Sequence, residues 1–150
     1  MIRKAARHDI QNIIDMMRDY ANEAPICALK NADKQDRTYV GNLIFTLIAG
    51  RGVVLVDDDC RGFIAGVVVP NIWCPDVMEL RELAWWVEPE YRGTSLGGRL
   101  WSEFNKTAQD MLDAGRVKIV CVSAMQTSPS LNYEKRGYAL LETTYFREKE

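Results

Sequence analysis

Residues 83–100, LAWWVEPEYRGTSLGGRL, decide how this chain is read. An apolar run ends at Glu88-Pro89, a turn carrying three glycines follows, and an amphipathic segment begins at Leu96. Strand, glycine-rich turn and helix start, in that order, are equally the parts of an anion site and of a plain turn. The first helical turn has unpaired N–H groups, and the macrodipole puts partial positive charge beside them. Arg92 and Arg99 add formal charge. The glycines fall at 93, 97 and 98, which fits neither the P-loop G-x-x-x-x-G-K-[ST] nor the dinucleotide fingerprint G-x-G-x-x-G.

Working outward, VMELRELAWWV (77–87) reads as a long central strand. LGGRLWSEFNKTAQDMLDAG (96–115) carries Leu96, Leu100, Phe104, Ala108 and Met111/Leu112 on one stripe and stops at Gly115. Upstream, MIRKA suits an edge strand. HDIQNIIDMMRDYANEA has Ile10, Ile13, Ile14, Met17 and Tyr20 at helical spacing, with Asp9 at its start. A second helix is expected around 36–49. Val53–Val56 and GFIAGVVVP (62–70) form a hairpin across an acidic turn, Asp57 to Asp59. Downstream, VKIVCVSA (117–124) reads as a buried strand, SPSLNYEKRGY (128–138) as a short helix ending at Gly137, and ALLETTYFRE (139–148) as a last strand. The order β-α-α-β-β-β-α-β-α-β describes a mixed α/β sheet in one domain spanning 1–150.

Composition narrows function. The 19 basic residues are offset by 21 acidic ones, so no nucleic-acid-coating face is expected. No apolar stretch is long enough to span a bilayer and no signal core precedes residue 10, so a cytoplasmic location is expected. Four cysteines without a C-x-x-C pair, and a single histidine, argue against a zinc site; the cysteines read as reduced and apolar.

The central stretch resembles the signature of the GCN5-related N-acetyltransferase (GNAT) superfamily, in which V-x-P-x-x-R-G leads into an R/Q-x-x-G-x-G/A loop. Arg92 matches the first loop position and Gly97 the last, while Ser95 stands where glycine is usual. SLNYEKRGY (130–138) is similar to the family's late L-Y-E-K-x-G-F element, with Tyr133, Gly137 and Tyr138 in the matching places. Gln126 stands where many members carry an asparagine that contacts the cofactor.

The resemblance implies a mostly antiparallel central sheet flanked by helices, with acetyl-CoA as co-substrate and no metal. Its pyrophosphate would rest on Arg92, Gly93, Thr94, Ser95, Leu96, Gly97 and Gly98. Its pantetheine arm would pair with backbone at Trp85, Trp86 and Val87 like an added strand. A backbone N–H there would polarise the thioester carbonyl. Tyr133 matches the general acid that protonates the leaving thiolate. The base that deprotonates the amine is sought among strand carboxylates. Glu79 and Glu82, three apart, point to opposite faces unless a bulge intervenes. Glu82 shares parity with Ala84 and Trp86 and lies nearer the reaction centre, so it is the candidate. Adjacent Trp85 and Trp86 must face opposite sides.

The acceptor is expected to be a small-molecule or peptide amine. Acetylation of aminoacyl-tRNA, use of another short acyl-CoA, and acyl-CoA binding without turnover are the alternatives. Homodimers are common in the family, but no motif here specifies an interface.

Overall fold

The computed structural model describes residues 1–30, 35–125, 128 and 131–149. Five strands form one sheet in sequential order: β1 (Ile2–Lys4), β2 (Gly52–Asp57), β3 (Gly62–Pro70), β4 (Met78–Val87) and β5 (Ile119–Cys121). β1 through β4 pair antiparallel, and β5 alone runs parallel to β4. The mixed, mostly antiparallel sheet is therefore as the sequence implies.

Helices cover both faces. α1 (Ile10–Glu23) and α2 (Arg37–Thr46) lie on one side, α3 (Leu96–Asp113) on the other. The apolar run of β2 serves both: Val54 and Val56 pack with Ile13, Met16, Ile44, Phe63 and Trp86, while Val53 and Leu55 pack with Leu80, Leu100 and Phe104. A strand buried on two faces loses the polar alternation of a half-exposed one, which is why β2 reads as a continuous hydrophobic run. The α3 stripe is buried at Leu96, Leu100, Phe104, Ala108 and Met111.

Helix starts follow local chemistry. Asp36 caps α2 by accepting from the Tyr39 N–H at 2.9 Å. Asp9, ahead of α1, is buried and accepts from the Ala6 N–H at 2.7 Å and from both Arg3 terminal nitrogens at 2.8 and 3.0 Å. Its carboxyl is held far below the usual range by the Arg3 guanidinium.

Three expectations need correction. Of the short helix expected over 128–138, where residues 129 and 130 lie outside the described ones, the described residues form a single 3-10 turn, Glu134–Arg136, closed by Gly137 at φ 89°. β5 spans three residues and is a partly exposed edge, not a buried strand. Residues 139–149 join no ladder, so the last strand does not form. The edge they would extend is only Ile119–Cys121, too short a template, and Glu148 is drawn instead to the Cys27 and Ala28 N–H groups at 3.0 and 2.8 Å.

Candidate functional site

β4 positions the site because its two halves are built differently. Glu79, Leu80 and Arg81 pair with β3 on one side and with β5 on the other. Beyond Arg81 the β5 ladder ends. Immediately afterwards a bulge shifts the β3 register: Gly66 opposes Glu82, Ala65 opposes Ala84, and Leu83 has no partner. A bulge bends and twists its strand, so β4 and β5 part at this point. The edge of residues 83–87 that faces away from β3 has no ladder among the described residues.

The bulge also corrects the parity argument for Glu82. Leu80 packs on the α3 side while Ala84 and Trp86 pack on the α1–α2 side, so the strand changes face between them. Glu82 sits at the changeover, where groups from both sides reach it. Among the described residues it accepts from the Ser123 N–H at 3.4 Å, a weak contact. Burial pushes its carboxyl up to about 7. Glu79 is committed elsewhere: nearly buried, it accepts from Asn71 Nδ2 at 2.8 Å and Arg81 Nε at 3.0 Å. The Asn71 bond, then Arg81, holds it below the ordinary carboxylate range. Of the two, Glu82 has the free carboxylate.

The Glu82 charge acts on two phenols, one from each face of the sheet. Tyr133, just before the 3-10 turn, packs edge-on against Trp101 and Tyr138 with ring centres 6.1 and 6.4 Å away. Burial, reinforced by the Glu82 charge, raises its pKa. Tyr20, from the last turns of α1, stands edge-on to Trp86 at 6.3 Å; burial and Glu82 push its phenol up to about 12. The sequence marks Tyr20 only as the end of an apolar stripe. Its polar tip on that stripe was the available signal for a second role.

At the mouth of α3 the loop is shaped by Gly93, whose φ of 87° suits glycine alone among common residues. Thr94 Oγ1 donates to the Tyr91 carbonyl at 2.6 Å and accepts from the Leu96 N–H at 3.3 Å. Ser95 is right-handed helical at φ −75°, ψ −4°, and its side chain makes no cap bond. Among the described residues, the Gly97 and Gly98 N–H groups have no acceptor. A Cβ at Gly98 would meet nothing within 4 Å, and one at Gly97 would make only ordinary contact with Val87 and Trp85. The helix start is thus open and polar, as an anion cradle requires. A groove of about 610 Å³ runs from it, lined by Trp85, Thr94, Ser95, Arg99, Trp101 and Arg136. Trp85 Nε1 is buried there without an acceptor.

Arg92 behaves differently from the other cations. Its Nε donates to the Val87 carbonyl at 2.9 Å, its two terminal nitrogens bond Glu23 at 3.0 and 2.9 Å, and its guanidinium stacks 4.5 Å from the Trp86 ring. It ties the end of β4 to the end of α1. Glu23 and Arg136 are the partners that sequence reasoning passed over, since neither lies at a recognised motif position. Trp85 and Trp86 face opposite sides, one packed toward α3 and the other toward α1. Gln126 lies outside the described residues. No group of three or more metal-ligating side chains occurs among the described residues, and no helix there is long and apolar enough to cross a membrane.

No family model matches the sequence, and no curated protein matches it. Solved structures do match. An acetyltransferase from Trypanosoma brucei superposes with a TM-score of 0.65 at 16% identity, covering 99% of this chain and 98% of the other. An aminoglycoside acetyltransferase from an uncultured soil metagenomic sample gives 0.64 at 16% identity, covering 99% and 95%. A transcriptional regulator from Bacillus halodurans gives 0.67 at 12% identity, covering 99% and 98%. At such identities the likeness establishes fold alone, across nearly the whole chain. The chain has the fold shared by these two acetyltransferases and the regulator, the mixed α/β architecture that its resemblance to GCN5-related N-acetyltransferases implies.

Proposed function

We propose that this protein is an acetyl-CoA-dependent N-acetyltransferase acting by direct transfer on a primary amine of a small molecule or peptide. The observation that carries the reading is Glu82: a half-buried carboxyl raised to about 7, without a strong partner among the described residues, where β4 and β5 separate. A group titrating near neutrality can take a proton from an ammonium and release it again, which is what a general base at this pH must do.

The residues present fit a coenzyme A thioester. The free N–H groups at Gly97 and Gly98, with Arg99 and Arg136 nearby, suit its phosphates. The unladdered edge of residues 85–87 suits an extended amide arm. When bound, the thioester supplies the activated acyl group. Glu82 accepts the amine proton, directly or through water. Tyr133, its phenol kept protonated well above neutral pH by burial, donates to the departing sulfur. Arg92, bonded to Glu23, Val87 and Trp86, holds the loop in place from outside the cradle.

Calorimetry with acetyl-CoA, coenzyme A and an unrelated nucleotide tests the donor side. A screen for thiol release and a 42-dalton mass gain (the arithmetic of one acetyl for one hydrogen, about 42 Da) across polyamines, amino acids, aminoglycosides and peptide N-termini tests turnover. Failure to bind acetyl-CoA refutes the assignment. Binding without release from any amine identifies an acyl-CoA-binding protein instead.

A further inference from the structure

A second cavity, about 440 Å³ in volume, lies between α1 and α2 and shares no lining residue with the groove at α3. Its size is that of a small-molecule pocket. Ile10 and Ile14 of α1 supply apolar lining, and Phe45 of α2 adds a ring that is 45% exposed. Gly41 stands in the middle of α2, where a glycine is unfavourable against alanine. Its φ is not positive, so the backbone does not ask for glycine. Space does: a Cβ there would come within 3.2 Å of Ile14 Cδ1 and 3.8 Å of Ile10 Cγ2. The missing side chain leaves those two isoleucines uncovered on the side facing α2.

Two guanidiniums border the cavity, and they differ. Arg37 is occupied, donating to Asp15 Oδ1 at 2.7 Å and to Gln11 Oε1 at 3.2 Å. Arg7, just ahead of α1, lies with its guanidinium carbon 5.4 Å from the centre of the Phe45 ring. The carboxylate nearest to it along the chain, Asp9, is taken by Arg3 at 2.8 and 3.0 Å. Among the described residues Arg7 has neither an ion pair nor a hydrogen-bond acceptor, so it is the cavity's one uncompensated charge. A guanidinium over a ring keeps its N–H edge available, and that edge matches a carboxylate through two parallel bonds.

We propose that this cavity binds a small carboxylate with an apolar body, such as a medium-chain fatty acid. The carboxylate sits on Arg7, and the chain lies along Ile10, Ile14 and Phe45. Charge selects a monoanion: a phosphate dianion would want a second free cation, and Arg37 is already neutralised by Asp15. This site does not depend on the catalytic assignment, since none of its residues takes part in it.

The test is a titration of the full chain with octanoate and with octanamide, which has the same chain and no charge, followed by backbone amide chemical shifts. Octanoate is expected to bind with a dissociation constant on the order of 0.5 mM, and octanamide roughly tenfold more weakly. The amides of Gly41, Asn42 and Phe45 should shift, and those of Gly97 and Gly98 should not. Arg7→Gln changes an exposed side chain, and unchanged circular dichroism and melting certify its fold. It should bring octanoate down to the level of the amide while moving octanamide by no more than about twofold. No octanoate binding up to about 20 mM overturns the proposal. So does equal affinity for the acid and the amide, or an Arg7→Gln variant that still prefers the acid. Shifts confined to Gly97 and Gly98 overturn it too, because they place the ligand in the groove at α3.

Discussion

The two halves of β4 carry one glutamate each, and the pair has opposite fates. In the first half, strands flank β4 on both sides, and Glu79 is locked by Asn71 and Arg81. In the second half β5 has left, the bulge has turned the strand, and among the described residues Glu82 has only the weak Ser123 contact. Glu79 is the more deeply buried and Glu82 only half-buried, so exposure alone would raise the wrong one. What separates them is whether the fold supplies donors. With donors the pKa falls and the group stiffens the sheet; without them it climbs toward neutrality and becomes usable chemistry.

Removing Glu82 is expected to have the largest effect on turnover. Glu82→Gln keeps the shape and removes the base, and should lower kcat/KM by about 10²–10⁴-fold. In the wild type, activity should rise with pH through about 7 as Glu82 deprotonates; the variant should lose that limb. A pH profile retaining the limb assigns the base elsewhere. Stability should move the other way. A carboxyl with a raised folded pKa contributes most below its unfolded value near 4.5, and that contribution is lost as pH rises through about 7. At pH 8 the Gln variant should therefore be the more stable protein by about 2 kcal/mol, read from denaturant midpoints.

Tyr133→Phe comes next. It removes one phenolic oxygen from a ring that keeps its Trp101 and Tyr138 contacts. Turnover should fall by roughly 10²-fold with acetyl-CoA affinity unchanged in calorimetry. An unaltered kcat would leave Tyr133 a packing residue. A matching loss of affinity would mean that its ring, not its proton, is what the substitution disturbs.

Glu79→Gln probes the other half of the comparison. Activity should stay within about threefold, while stability at pH 7 drops by about 1–2 kcal/mol, or about 3–6 °C in melting temperature. The direction with pH is opposite to that at Glu82. A depressed pKa gives stability that is present above the unfolded value near 4.5 and disappears as pH falls through the folded one, so the variant and wild type should converge in acid. Convergence in base would reverse the roles given to the two residues.

How much of this was legible in the sequence depends on the range of the cause. Apolar spacing specified α1 and α3, and a doubly buried run specified β2, because each is set by neighbours along the chain. The loop 92–98 announced itself through its glycines. The bulge after Glu82 did not, since it arises from registering β3 against β4, where the paired positions on its two sides, Gly66 with Glu82 and Ala65 with Ala84, are 16 and 19 residues apart, and without it strand parity gave Glu82 the wrong companions. The bond between Arg92 and Glu23 spans 69 residues and left no local trace. The missing last strand failed for the same reason: ALLETTYFRE has strand chemistry, but its edge, Ile119–Cys121, is three residues long.

Ser95 gives the smallest and most discriminating effect. A serine in place of the family's glycine matters only if that position needs positive φ or space. It needs no positive φ, because Ser95 is right-handed helical, and the left-handed turn falls on Gly93 two residues earlier. Its side chain takes no part in capping α3, since Thr94 Oγ1 receives the Leu96 N–H. The hydroxyl lines the groove beside Gly98, where it is free to donate to a phosphate oxygen. Ser95→Gly should accordingly change the acetyl-CoA dissociation constant by no more than about threefold, toward weaker binding, through the lost hydroxyl and the added freedom of the loop. Tighter binding by tenfold would show that the serine obstructs the cradle. An effect near zero with kcat unchanged would show that the backbone N–H groups of Gly97 and Gly98 hold the anion, with the side chain at 95 a bystander.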